Sequence, residues 1–305
     1  MTEFWSEEYW AQKGDVKLYM FRKRTDAPPA GGDGRPVLFL VHGSSFSGPS
    51  GFDLHVPGKS DFSLMEKFAG YGFDVWTMDH EGYGKSDSTD GNSPVAEGVR
   101  DLKAAMEVVE RETGVKKISF YGSSSGALRA AAFAEAYPEH AEQLVLDAFV
   151  WTGKDAPTLI ERARKMDIWT ASNMRQIDEA FLKSIFTRDL PGTTEDGVGE
   201  ALAETELKIC NQVPTGTYVD MCSKLPVCDP TKIRCPVLII RGEHDGVATE
   251  EDLMAYYNAL PVHDKQFVII PGQAHVSHLG VNRARFWHVF HSFLTMPKRM
   301  DSLDD

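Results

Sequence analysis

Gly122-Ser123-Ser124-Ser125-Gly126 places a serine between glycines two residues away on either side. The apolar stretch 117–121 (KISFY) precedes it and the helix-forming run ALRAAAFAEA follows. A serine at so sharp a strand-to-helix turn needs strained backbone angles, and the two glycines relieve the crowding around it. The turn lifts the Ser124 hydroxyl clear of the strand. It also sets the Ser125 N–H at a helix N-terminus, where free donors and the positive end of the dipole favour an oxyanion. Ser123 and Ser125 are poorer nucleophile candidates, because this geometry exposes the middle residue. A turn without chemistry could carry the same five residues, and it is the flanking strand and helix that favour the reactive reading.

A serine hydroxyl is a weak nucleophile near neutral pH and needs an imidazole to take its proton and a carboxylate to orient that imidazole. Two later loops offer both groups. Gly242-Glu243-His244-Asp245-Gly246 follows the apolar run 236–241, and Pro271-Gly272-Gln273-Ala274-His275 follows 266–270. Each stands just past the C-terminal end of a strand, the side on which open α/β sheets gather their ligands. His275 is preferred to His42, His244 and His278 because it follows the last strand by a few residues. Asp245, on a loop, is preferred to Asp147, which sits in the apolar run 143–149. The pairs His275/His278 and His288/His291 have a spacing that could hold a metal, yet no acidic or cysteine ligand completes a set. No metal is expected, and 288 and 291 fit the solvent edge of a C-terminal helix bearing Phe286, Val289, Phe290 and Phe293.

The elements that must position these residues alternate between strand and helix, the mark of a mostly parallel sheet flanked by helices. Residues 15–24 alternate like an exposed antiparallel strand, whereas 36–41, 73–78, 117–121, 143–149, 236–241 and 266–270 are apolar runs of the buried kind. A helix is expected with Ser93 as N-cap, Pro94 at the first position, Val95, Val99, Leu102, Met106 and Val109 on one face, and Gly114 as its end. From about 152 to 230 the strand signal lapses and amphipathic stretches appear at 158–167, 176–188 and 197–211. Prolines 226, 230 and 236 then lead the chain back to the sheet. The expected organisation is a core domain of 1–151 and 231–305, with a helical cap, or lid, inserted at 152–230.

The chain has 305 residues, 42% hydrophobic and 25% charged, with a formal net charge of −13. These values suit a folded globular chain and argue against a nucleic-acid partner, which needs clustered Lys and Arg. Met1–Trp10 carries Glu3, Glu7 and Glu8 without an apolar run, so no secretory signal is expected. No stretch approaches the ~18 apolar residues of a membrane span. Cys210, Cys222, Cys228 and Cys235 contain no CxxC pair, so reduced thiols and a cytoplasmic setting are expected. Self-association as a homodimer is left open.

Taken together, residues 35–150 and 233–296 resemble the α/β-hydrolase family. The run 36–41 leads into His42-Gly43-Ser44-Ser45, similar to that family's HG oxyanion loop. Asp79-His80-Glu81-Gly82-Tyr83-Gly84-Lys85-Ser86 is similar to its structural D-x-x-G-x-G-x-S turn. The resemblance implies the α/β-hydrolase fold, Ser124 as nucleophile, His275 as base and Asp245 as acid, although some relatives place the acid where Asp147 stands. It implies Ser44 as a second oxyanion donor beside Ser125, with Ser45 as the alternate. Family members that open epoxides or remove halides carry aspartate at the elbow, so Ser124 implies acyl transfer. The expectation is a serine hydrolase of small carboxylic esters that works through an acyl-enzyme, without a cofactor. Alternatives are amide or C–C bond hydrolysis, the latter because Ser47-Gly48-Pro49-Ser50-Gly51 is similar, in shifted register, to a loop of hydrolases that cleave ring-fission products. A third is a receptor of this fold that binds a ligand without turnover. Phe46, Trp151 and Trp169 are expected to bind an apolar or aromatic part of the substrate, with core packing as the alternative for each tryptophan.

Overall fold

The computed structural model describes residues 3–297. Met1 and Thr2, part of the N-terminal reading above, and 298–305, the tail of the expected core range, lie outside the described residues. The strands run in order β1 (Trp5–Lys13), β2 (Val16–Arg24), β3 (Val37–Val41), β4 (Asp74–Met78), β5 (Ile118–Ser123), β6 (Ala141–Asp147), β7 (Met174–Gln176), β8 (Gln212–Pro214), β9 (Val237–Gly242) and β10 (Lys265–Ile270). Eight of them form one sheet in the order β1-β2-β4-β3-β5-β6-β9-β10. β2 pairs antiparallel with β1 and β4, and every other pairing in that sheet is parallel.

Apolar runs make central strands because both sheet faces are covered. Every residue of β3, β4 and β5 is buried. One face packs Phe39 and Phe120 against Leu102, Met106 and Phe133, from helices Val95–Thr113 and Ser125–Ala136. The other packs Leu38, Tyr121 and Ile240 against Phe68, Phe286 and Phe290, from helices Leu64–Gly70 and Arg283–Leu294.

The structure departs from the expectations at local points. β1 carries no apolar run, since Ala11 is its one buried residue, and it is defined by its pairing with β2. The 95–113 helix is not capped by Ser93. Pro94 occupies the cap position with extended backbone, and the first N–H, of Val95, is accepted by Asp220 Oδ2 at 2.8 Å, from a residue 125 positions later. Gly114 ends that helix with φ 72°, as expected. β6 stops at Asp147, where Ala148 turns the chain with φ 50°.

Between β6 and β9 lie helices Pro157–Ala163, Met166–Ala171, Glu179–Ser184, Val198–Leu207 and Gly216–Ser223. They are joined by the antiparallel pair β7 and β8, which the sequence did not signal. The stretch 176–188 is not one helix: β7 ends at Gln176, and Asp178 caps the following helix by accepting the Phe181 N–H at 2.7 Å. Apolar residues of this segment, Ile177, Leu182, Val198 and Leu202, pack on Leu54, Phe62, Tyr83 and Val276. Among the described residues no helix is long and apolar enough to cross a membrane.

Candidate active site

Ser124 joins β5 to the helix Ser125–Ala136 and holds φ 58° and ψ −124°, a conformation that L-residues rarely adopt. The flanking glycines are required by close approach. A Cβ on Gly122 would stand 2.5 Å from Ala127 Cα, and one on Gly126 would strike Val41 O. The Ser124 N–H is held by Asp147 O at 2.9 Å, so the end of β6 braces the elbow through its main chain.

The loop after β10 brings His275 to the serine, with Nε2 3.0 Å from Ser124 Oγ. The loop after β9 brings Asp245 to the other side of the ring, with Oδ1 2.9 Å from His275 Nδ1. Asp245 Oδ1 also accepts the Val247 N–H at 2.9 Å. Asp245 is 3% exposed and His275 6%. Burial alone would raise the Asp245 carboxyl, but His275 and the Val247 N–H outweigh it and hold the group below its ordinary value. The carboxylate is therefore ionised where it meets the imidazole.

Asp147 is fully buried and does not reach His275. Its Oδ2 accepts the Tyr121 hydroxyl at 2.8 Å, and burial, with the nearby charge of Asp245, raises its pKa to about 8. His278 is buried against Tyr121, and burial lowers its pKa to about 4.

The Ser125 N–H opens the helix after the elbow, and Ser44 follows Gly43, whose Cα would bring a Cβ within 3.3 Å of Ser124 Cβ. The two side chains meet, the Ser44 hydroxyl donating to Ser125 Oγ at 2.7 Å, while Thr217 Oγ1 donates to Ser44 Oγ at 2.9 Å. Two buried carboxylates brace the continuing loop. Asp79 accepts the N–H groups of Gly48 and Lys85, both at 2.9 Å, and burial followed by the repulsion of Glu206 raises its pKa to about 7. Glu206 accepts the Ser47 N–H at 3.1 Å and the Ser47 hydroxyl at 2.7 Å. Asp79 was signalled by its turn motif, and Glu206 by nothing local in the sequence.

The cavity over Ser124 is lined by Ser44, Phe46, Phe52, His275 and Val276, and by Arg162, Ile185, Arg188 and Tyr218 from the segment between β6 and β9. Phe46 lies in this lining. Trp151 does not: it packs edge-on against Tyr256 with ring centroids 5.8 Å apart and lines a separate hollow with Cys228 and Pro230. Trp169 meets the site only indirectly, edge-on to Tyr218 at 5.2 Å and donating to Arg162 O at 2.9 Å. The arginines went unnoticed in the sequence because each lies in a short amphipathic stretch where a cation reads as solvated surface.

Two other clusters of metal-ligand type, Asp53/His55/Glu66 and Glu81/Glu97/Asp101, lie away from this cavity. Each already surrounds an ammonium group, that of Lys23 in the first and Lys13 in the second.

A mostly parallel sheet with this elbow and these strand-end loops is the α/β-hydrolase fold. The chain belongs to the serine aminopeptidase S33 family, whose model matches residues 59–279. It is similar to the serine hydrolase BPHL of Homo sapiens, with 26% identity over 217 residues, 70% of this chain and 65% of that protein. It is also similar to a 2-hydroxy-6-oxononadienedioate/2-hydroxy-6-oxononatrienedioate hydrolase of Paraburkholderia phymatum, 34% identical over 122 residues, 38% of this chain and 36% of that enzyme. Both matches span less than two thirds of the relative's length. Among solved structures, E-2-(acetamidomethylene)succinate hydrolase shares the fold, with a TM-score of 0.68, 17% identity, and coverage of 95% of this chain and 99% of that one.

Proposed function

We propose that this hydrolase is a serine esterase that cleaves small carboxylic esters through an acyl-enzyme. The observation that carries the reading is the hydrogen-bond chain from Ser124 Oγ through His275 to the buried Asp245. In this reading Ser124 Oγ attacks the ester carbonyl as its proton passes to His275 Nε2, and Asp245 stabilises the imidazolium. The N–H groups of Ser44 and Ser125 hold the oxyanion. The imidazolium then gives its proton to the departing alcohol, and water enters by the same route to release the acid.

The segment 152–230 acts as a lid. Arg162, Ile185, Arg188 and Tyr218 of this segment stand over Ser124, so a substrate reaches the serine by passing beneath it. A second reading, hydrolysis of a C–C bond next to a carbonyl, is favoured by the similarity to the Paraburkholderia phymatum enzyme. It uses the same serine, base and oxyanion donors.

A fluorophosphonate probe tests the nucleophile. Stoichiometric labelling at Ser124 is expected, while an unlabelled chain with no turnover points to a ligand receptor. Ser124→Ala is expected to keep the fold and lower kcat by about 10⁴ to 10⁶. Activity within tenfold of wild type would remove Ser124 from the role. Turnover of esters set beside a ring-fission product separates the two readings.

A further inference from the structure

The cavity is apolar on one side and cationic on another. Phe46, Phe52, Ile185 and Val276 supply the first, and Arg162 and Arg188 supply the second, with the buried Tyr218 ring against Arg162. In a chain with 45 acidic and 32 basic residues, arginines gathered around one cavity do not follow from composition. The Arg162 guanidinium carbon lies 3.7 Å from the Tyr218 ring centroid, and that of Arg175 lies 4.2 Å from it. A guanidinium laid on a ring uses its face and leaves its in-plane N–H donors free.

Those donors are poorly used. The Arg162 side chain makes one weak contact among the described residues, from Nη1 to Met221 Sδ at 4.0 Å. Arg188 makes one ion-pair contact there, from Nε to Asp189 Oδ1 at 3.5 Å. Arg175 differs, because it donates to Ser44 O at 2.7 Å and to Ser45 Oγ at 3.2 Å, and so is spent on the oxyanion loop. Burial would raise the Tyr218 phenol, yet Arg162 and Arg175 outweigh it and bring it down to about 7. Arg162 is half-buried without a carboxylate partner, which is costly, and a ligand that supplies the counter-charge offsets that cost; Arg188 stands at the exposed end of the same lining with Asp189 as its neighbour.

We propose that Arg162 and Arg188 form an anion subsite beside Ser124, and that the substrate is a hemiester of a short aliphatic dicarboxylic acid. Its free carboxylate meets the guanidinium edges, its methylenes lie along Phe46, Phe52, Ile185 and Val276, and its ester carbonyl reaches Ser124. The catalytic half of this inference rests on the serine-hydrolase reading, and the binding half does not.

The test pairs mono-4-nitrophenyl glutarate with its methyl-capped diester, and glutarate with dimethyl glutarate. For the wild-type enzyme, kcat/KM is expected to favour the free acid over the capped ester by at least about tenfold, the scale of one charge-assisted contact. That ratio is expected to fall toward one in Arg162→Gln and in Arg188→Gln. In calorimetry with Ser124→Ala, glutarate is expected to bind and dimethyl glutarate not. Equal or better turnover of the capped ester overturns the subsite and leaves the role of Ser124 intact. If Ser124 resists the fluorophosphonate and neither ester turns over, the nucleophile reading fails, and calorimetry still decides the subsite. Glutarate that binds no better than its dimethyl ester sinks it in either case.

Discussion

Two buried aspartates stand at the ends of neighbouring strands, Asp147 on β6 and Asp245 just beyond β9, and their surroundings drive them to opposite states. Asp245 meets an imidazole and a backbone N–H and stays ionised below its ordinary range. Asp147 meets a phenol in an apolar setting, beside the charge of the other carboxylate, and is raised to about 8. Residue type and burial are the same, so the partner alone decides whether the group can stabilise an imidazolium. One carboxylate suits an acid that orients a base, and the other suits a neutral hydrogen-bonding strut under the elbow.

Exchanging each for asparagine is the strongest way to break this contrast. In the proposed mechanism Asp245→Asn loses the correct imidazole tautomer, and kcat on the best ester is expected to fall at least a hundredfold and by up to ~10⁴. Asp147→Asn keeps the main-chain bond from Ser124 N–H to residue 147 and a side-chain acceptor for Tyr121, so kcat is expected to fall less than tenfold. The reverse ranking, with both variants folded by circular dichroism, would move the acid to β6.

Melting temperatures measured against pH sharpen the same contrast, because the two shifts have opposite signs. A carboxyl raised in the folded state contributes stability that is fully present below its unfolded value of about 3.8 and is lost as pH rises through about 8. The advantage of wild type over Asp147→Asn is therefore expected to shrink between pH 4 and 8. Asp245, lowered in the folded state, contributes stability that is present above the unfolded value and is lost as pH falls below it. Its advantage over Asp245→Asn is expected to shrink on the acid side instead. Parallel curves for the two pairs would show that the aspartates share one ionisation state.

A smaller effect separates the two tryptophans. Trp169→Ala is expected to change the ratio of kcat/KM between large and small esters several-fold, because Trp169 backs Tyr218 and Arg162. Trp151→Ala is expected to leave that ratio unchanged, since Trp151 faces a different hollow. Equal loss on all esters in Trp169→Ala would assign that residue to packing alone.

How much of this was legible in the sequence depended on whether the signal was local. The elbow at 122–126, the strand-end loops carrying Asp245 and His275, and the parallel strands β3, β4, β5, β9 and β10 are written in short spacings and apolar runs, which the chain carries without reference to distant residues. The preference for Asp245 over Asp147 was local too, a loop carboxylate set against one in an apolar run, and Asp245 is the one that stands 2.9 Å from His275. What remained hidden was pairing across long separations. Asp220 caps the helix at Val95, Glu206 braces the loop at Ser47, β7 pairs with β8, and Arg162 lies against Tyr218. In each case the sequence supplies an ordinary polar or amphipathic residue, and only tertiary packing decides which group it faces, how far water is excluded, and so whether its charge is solvated, paired or held ready for a ligand.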